Sequence, residues 1–86
     1  MTQSVVVWSK DNCPYCKRAM LLLDNYSIKY EVRKIGEGWT KEQLLEAVPN
    51  ARTVPQIIIN DEVIGGYDDL SSYIENTNFN GTGHTL

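Results

Sequence analysis

The 86 residues predict an α/β domain: a four-stranded mixed sheet in the order β-α-β-α-β-β-α, with helices on both of its faces. Three observations carry that class. Val5-Val6-Val7-Trp8 is a continuous apolar, β-branched run, the pattern of a strand covered on both sides. A helical repeat and then a second strand pattern follow it, and such a βαβ unit crosses over right-handed with its strands parallel. Later, Gln56 to Ile59 and Glu62 to Ile64 flank Asn60-Asp61, a two-residue turn that makes an antiparallel hairpin.

The elements follow in order. After the Val5–Trp8 strand, Ser9 to Asn12 is a short polar connection. From Pro14 to Tyr26 the apolar positions Cys16, Ala19, Met20, Leu23 and Tyr26 recur at spacings of three and four, with Lys17, Arg18, Asp24 and Asn25 opposite them. Pro14 suits the first helical turn, where its missing N–H is not needed. Ile28 to Lys34 alternates Ile28, Tyr30 and Val32 against Lys29, Glu31 and Arg33, a strand expected at a sheet edge. Thr40 with Gln43 three residues on is a capping box, opening a second helix that should bury Leu44, Leu45 and Val48 and stop at Pro49-Asn50. Gly65-Gly66 ends the hairpin, and Asp68 or Asp69 should cap a third helix with Leu70, Tyr73 and Ile74 on one face. The first and third helices are expected on one face of the sheet and the second on the other. The domain is taken as 1–77. The segment 78–86, rich in Asn, Gly and Thr, reads as a poorly ordered polar tail on which Phe79 could dock.

Composition narrows the function. Hydrophobic residues at 42% and charged residues at 22% describe a water-soluble globular chain, and a net charge of −3 argues against a nucleic-acid partner. The longest apolar run is the five residues Ala19 to Leu23, so neither a membrane span nor a signal-peptide core is expected. Cytoplasmic localisation follows, in a compartment that keeps structural disulfides reduced. A monomer is expected.

Only two cysteines are present, and they stand together as Cys13-Pro14-Tyr15-Cys16. With His84 they fall short of the four ligands of a structural zinc, which leaves a redox pair, a zinc half-site shared across a dimer, or an incidental pair. At the start of a helix two residues three apart lie one turn from each other, within reach of a disulfide. Cys13 at that N-terminus meets unpaired N–H groups and the positive end of the helix dipole, with Lys10 and Lys17 nearby in sequence. A free thiol of pKa about 8.5 is only about 3% ionised at pH 7. Lowering that pKa by about two units multiplies the thiolate about 25-fold, while the loss of intrinsic nucleophilicity gives back about 8-fold. The net gain in attack is about threefold, and the larger benefit is a faster-leaving sulfur. Cys16, on the apolar side, is expected to be less exposed and to resolve a Cys13 mixed disulfide.

Three stretches together resemble the glutaredoxin family over about Val5 to Asn76. Cys13-Pro14-Tyr15-Cys16 is similar to the dithiol active site, Thr53-Val54-Pro55 to the family's Thr-Val-Pro loop, and Gly65-Gly66-Tyr67-Asp68-Asp69 to its Gly-Gly-x-Asp/Thr-Asp turn. Thioredoxin has a similar fold, but its Trp-Cys-Gly-Pro-Cys signature is missing here. The resemblance implies a thioredoxin-like fold, a cis Pro55 where a trans bond is the general default, and a backbone at Val54 that pairs with an extended peptide. It further implies glutathione as co-substrate, with no tightly bound cofactor. The N-terminus of the third helix and Tyr67, Asp68 and Asp69 would take the γ-glutamyl end, Lys10 the glycine carboxylate with Arg52 adding charge, and Tyr15 would pack against the partner. A polar residue of the second helix that assists in the family falls near Glu42 or Gln43.

The implied activity is reduction of protein disulfides and protein–glutathione mixed disulfides through Cys13 and Cys16, with ribonucleotide reductase among the family's electron acceptors. Two alternatives remain: a glutathione-ligated [2Fe–2S] carrier formed by two chains, and a thioredoxin-like donor reduced by a reductase. Trp39 and His84 take no assigned role.

Overall fold

A computed structural model describes residues 4–77. The chain runs β1 (Val5–Ser9), α1 (Pro14–Asn25), β2 (Glu31–Lys34), α2 (Lys41–Ala47), β3 (Gln56–Ile59), β4 (Glu62–Gly65) and α3 (Tyr67–Thr77). The sheet order is β2-β1-β3-β4. β1 pairs parallel with β2 and antiparallel with β3, and β3 pairs antiparallel with β4. This is the predicted thioredoxin-like architecture. The Phe79, His84 and tail expectations lie outside the described residues.

β1 is apolar from Val5 to Trp8 because both of its faces are covered. Val5 and Val7 point into one core with Ile57 and Ile59 of β3, Ala19 and Leu23 of α1, and Leu70 and Ile74 of α3. Trp8, with the half-buried Val6, points the other way, into a smaller core with Leu44 and Val48 at α2. α1 and α3 therefore share one face and α2 covers the other, as expected. The hairpin closes through Asn60 and Asp61, with φ of 51° and 67°, the left-handed pair that a type I′ turn requires.

Several local expectations are corrected. β1 extends to Ser9, which is buried and paired with Lys34. β2 begins at Glu31 rather than Ile28, because Ser27 turns left-handed (φ 57°) and the Ile28 N–H bonds back to the Leu23 carbonyl, so that this stretch finishes the helix instead of pairing. β2 does lie at the sheet edge, as expected, and Val32 is 41% exposed there. Tyr26 follows the end of α1 as its exposed C-cap. Leu45 is 36% exposed: Leu44 and Val48, one turn apart, face the sheet, and the residue beside Leu44 is rotated about 100° away. α3 starts at Tyr67, so neither Asp68 nor Asp69 is its N-cap and both lie in its first turn.

Candidate active site

The reactive sulfur is placed by the β1–α1 junction. Asn12 takes a left-handed φ of 56°, a conformation Asn tolerates, and delivers Cys13 to the N-cap of α1 with extended φ and ψ of −116° and 96°. Pro14 then begins the helix. The Cys13 Sγ accepts the Cys16 N–H at 3.2 Å, so the sulfur sits where a capping oxygen normally does. Unsatisfied amides and the helix dipole favour negative charge there, which is the electrostatics a thiolate needs. Cys13 and Cys16 are joined in a disulfide with their Cα atoms 5.2 Å apart, a separation one helical turn supplies. Cys13 retains 7% exposure and Cys16 1%, so an incoming partner meets Cys13 first.

The 53–55 loop lies against that sulfur. The Val54–Pro55 peptide is cis, and the Val54 carbonyl oxygen is 3.6 Å from Cys13 Sγ. The loop is pinned from β3 by the Gln56 side-chain amide, which donates to the Thr53 carbonyl at 2.9 Å.

Two clefts open on either side of this loop and meet at Thr53 and Val54. The larger, about 560 Å³, carries Lys10, Lys41 and Arg52 above Ile35, Leu44 and Ala51, and no acidic residue lines it. The smaller, about 310 Å³, is bordered by Tyr15, Pro55, Gly66, Tyr67, Asp68 and Asp69, with no basic residue. Lys10, Lys41 and Arg52 thus line the cleft on one side of the loop, and Asp68 and Asp69 the cleft on the other. Tyr15, 55% exposed, is held by the Arg18 guanidinium 5.2 Å over its ring and faces the Tyr67 ring at 6.3 Å.

The acidic cleft is shaped by Gly65 and Asp69. Gly65 has φ +120°, and a Cβ there would collide with the Asp69 carboxylate. Asp69 Oδ2 accepts the Gly66 N–H at 3.2 Å, tying the start of α3 back to the end of β4. At Gly66 a Cβ would meet only Pro55 O at 3.7 Å, an ordinary contact, so of the glycine pair Gly65 alone is required by a close approach. The Asp69 side chain is engaged with the backbone, whereas the Asp68 side chain makes no hydrogen bond among the described residues.

A third cleft, about 470 Å³, lies on the other side of the disulfide and includes Lys10, Asp11, Cys13, Cys16, Lys17 and Lys34. Asp11, two residues before Cys13, is matched by Lys34 Nζ at 2.6 Å, and Glu37 joins the same ammonium at 3.3 Å. The hydrogen bond that the Lys34 ammonium donates to Asp11, then that to Glu37, holds the Lys34 pKa above its usual 10.5.

All the residues singled out from sequence (Lys10, Cys13, Tyr15, Cys16, Thr53, Val54, Pro55, Tyr67, Asp68 and Asp69) border these clefts. Of the helix α2 residues, Gln43 closes the capping box with Thr40 and faces Trp8 and Trp39 instead, and Glu42 borders neither cleft beside the 53–55 loop. Lys41, one residue earlier, is the charged α2 side chain that lines the basic cleft, beside the apolar Leu44 and Leu45. Sequence reasoning missed Lys41 and Gln56. The available signal for Lys41 was its place three and four residues before Leu44 and Leu45, on the side of α2 they share.

Comparison with known proteins agrees with this geometry. Residues 5–64 match the glutaredoxin family model. Glutaredoxin-C4 of Arabidopsis thaliana is 37% identical over 71 residues, which cover 79% of this chain and 53% of the plant protein. Glutaredoxin 3 of Escherichia coli is 36% identical over 67 residues, covering 78% and 81% respectively. The chain spans about half the length of the plant relatives. Among solved structures, reduced E. coli glutaredoxin superposes with a TM-score of 0.74 at 35% identity, covering 85% of this chain and 94% of that one. A buckwheat glutaredoxin–glutathione complex gives 0.73 at 28%, covering 86% and 70%. With the cysteine pair, the cis-proline loop and the Gly-Gly turn converging as described, the chain belongs to the glutaredoxin family.

Proposed function

We propose that the protein is a glutathione-dependent thiol–disulfide oxidoreductase that reduces protein–glutathione mixed disulfides and protein disulfides. The observation that carries this reading is the sorting of charge across the Thr53-Val54 loop beside Cys13. Glutathione has an ammonium and a carboxylate at its γ-glutamyl end, a thiol in the middle and a lone carboxylate at its glycine end. Asp68 answers the ammonium, and the first N–H groups of α3 answer the neighbouring carboxylate. Lys10, Lys41 and Arg52 answer the glycine carboxylate. The middle of the tripeptide then lies along Val54 as a short added strand, its sulfur at Cys13. The buckwheat complex supports the same ligand for a relative of this fold.

The chemistry follows from the two sulfurs. The Cys13 thiolate attacks the glutathione sulfur of a mixed disulfide, the protein thiolate leaves and takes a proton, and a second glutathione releases the first as glutathione disulfide. With a protein disulfide, Cys13 forms the mixed disulfide and Cys16 attacks Cys13 Sγ to expel the reduced partner. The resulting Cys13–Cys16 disulfide is the state described above. Two glutathiones restore the dithiol. Ribonucleotide reductase is one acceptor for such a donor, and the cytoplasm the setting that supplies glutathione. The test supplies the mixed disulfide of glutathione and cysteine as substrate. Reduction coupled to glutathione and glutathione reductase is the expected result; reduction only with a thioredoxin reductase overturns the reading.

A further inference from the structure

The basic cleft is larger than its glutathione task. A C-terminal glycine is one methylene and a carboxylate, whereas about 560 Å³ falls in the range of clefts that hold drug-sized ligands, about 300–1,000 Å³. The cleft extends to α2, whose Lys41, Leu44 and Leu45 line it and do not border the cleft that contains Cys13, and Leu45 joins Ile35 and Leu44 in an apolar wall. Leu45 is 36% exposed, on a helix whose other apolar residues face the sheet. This wall lies beside three cations and no acid in a chain of net charge −3.

We propose that this extension is a docking groove for the protein disulfides that Cys13 attacks, and that it reads the residues following the attacked cysteine: an apolar side chain against Leu45, flanked by a carboxylate. The inference rests on the glutathione reading above, because the polarity of the tripeptide sets the direction of any chain that replaces it. With the ammonium end at Asp68 and the carboxylate end at Lys10, Lys41 and Arg52, a polypeptide laid along Val54 runs from the acidic cleft to the basic one. Residues C-terminal to its cysteine enter the basic groove. Burial against Leu45 adds apolar contact, and the cations add attraction for an acidic neighbour. In the exchange itself Cys13 Sγ bonds to the partner's sulfur while the second partner sulfur leaves as a thiolate. Cys16 then gives up its proton to solvent and displaces the first, so two electrons pass from the dithiol to the partner.

The experiment compares three disulfide-linked peptides alike except after the attacked cysteine: Cys-Gly-Leu-Asp, Cys-Gly-Ser-Ser and Cys-Gly-Ser-Lys. The reduced protein should show a kcat/KM about tenfold higher for the Leu-Asp peptide than for the Ser-Lys peptide, with the gap narrowing as salt is raised. Leu45→Ser, a surface change, should remove most of the Leu-Asp preference while leaving reduction of the glutathione–cysteine disulfide unaltered. Equal kcat/KM for the three peptides, or a preference that survives Leu45→Ser, overturns the groove alone if the glutathione–cysteine disulfide is still turned over. A protein inactive on that small disulfide overturns the glutathione reading and the groove with it.

Discussion

Gly65→Ala is the substitution whose cost can be worked most fully from the structure. Alanine at φ +120° occupies a region that L-residues rarely adopt, worth about 1–3 kcal/mol of strain. Its Cβ also meets the Asp69 carboxylate, and that side chain can move only by giving up the Gly66 N–H it accepts at 3.2 Å. Loss of a capping interaction of this kind costs about 1 kcal/mol. The expected total is about 2–4 kcal/mol, which for a domain of this size lowers Tm by roughly 8–30 °C. Because Gly65→Ala already breaks the Asp69–Gly66 bond, adding Asp69→Ala should cost little more. The double variant is then less destabilised than the sum of the singles by about 1 kcal/mol, well outside the ~0.3–0.5 kcal/mol of independent sites. Urea denaturation of the four proteins measures this directly. Strict additivity, or a Gly65→Ala protein as stable as the parent, refutes the reasoning. In the assay with glutathione mixed disulfide, the same substitution should raise KM, since Asp68 and the α3 N-terminus move with it.

Three further outcomes are expected. Lys41→Glu places a carboxylate in the basic cleft and should raise KM for a glutathione mixed disulfide about tenfold, with less effect at high salt. Thr40→Ala deletes the hydroxyl that accepts the Gln43 N–H at 3.2 Å and should cost about 1 kcal/mol, seen as a lower urea midpoint. Stability should fall in alkali. The Tyr30 pKa is raised above 10.0 by burial, then by its hydrogen bond to Asp24 and that residue's charge, and the Lys34 pKa is raised above 10.5 by Asp11 and Glu37. Both groups hold their protons more tightly folded than unfolded. Their contribution is complete below the unfolded values and is lost as pH rises through the folded ones. Urea midpoints between pH 9 and 11.5 should therefore decline, and less steeply in Lys34→Gln.

What could be read in advance was what local chemistry specifies. Val5 to Trp8 is apolar on both faces because β1 is central, and Asn60-Asp61 names its own turn. Cys13 and Pro14 announce a helix start with a sulfur at its cap. Thr53-Val54-Pro55 and Tyr67 to Asp69 were legible through family resemblance rather than through any pattern of their own. Leu45 was misassigned because helical periodicity cannot say which of two adjacent leucines faces a sheet not yet placed. The left-handed Ser27 likewise ended the pairing of Ile28 to Tyr30 without a glycine to mark it. Lys41 escaped notice because the basic cleft is assembled from Lys10 after β1, Ile35 after β2, α2 and the 51–54 loop, segments separated in sequence. Its partners are defined only once the sheet order is known.

The division of labour between the two sulfurs is the central claim, and turnover of the glutathione–cysteine mixed disulfide by the two single variants tests it most directly. Cys16→Ser should retain activity and accumulate a glutathione adduct on Cys13, visible by mass spectrometry, whereas Cys13→Ser should show neither activity nor adduct. Turnover that persists in Cys13→Ser, or is lost in Cys16→Ser while the protein stays folded, contradicts the account.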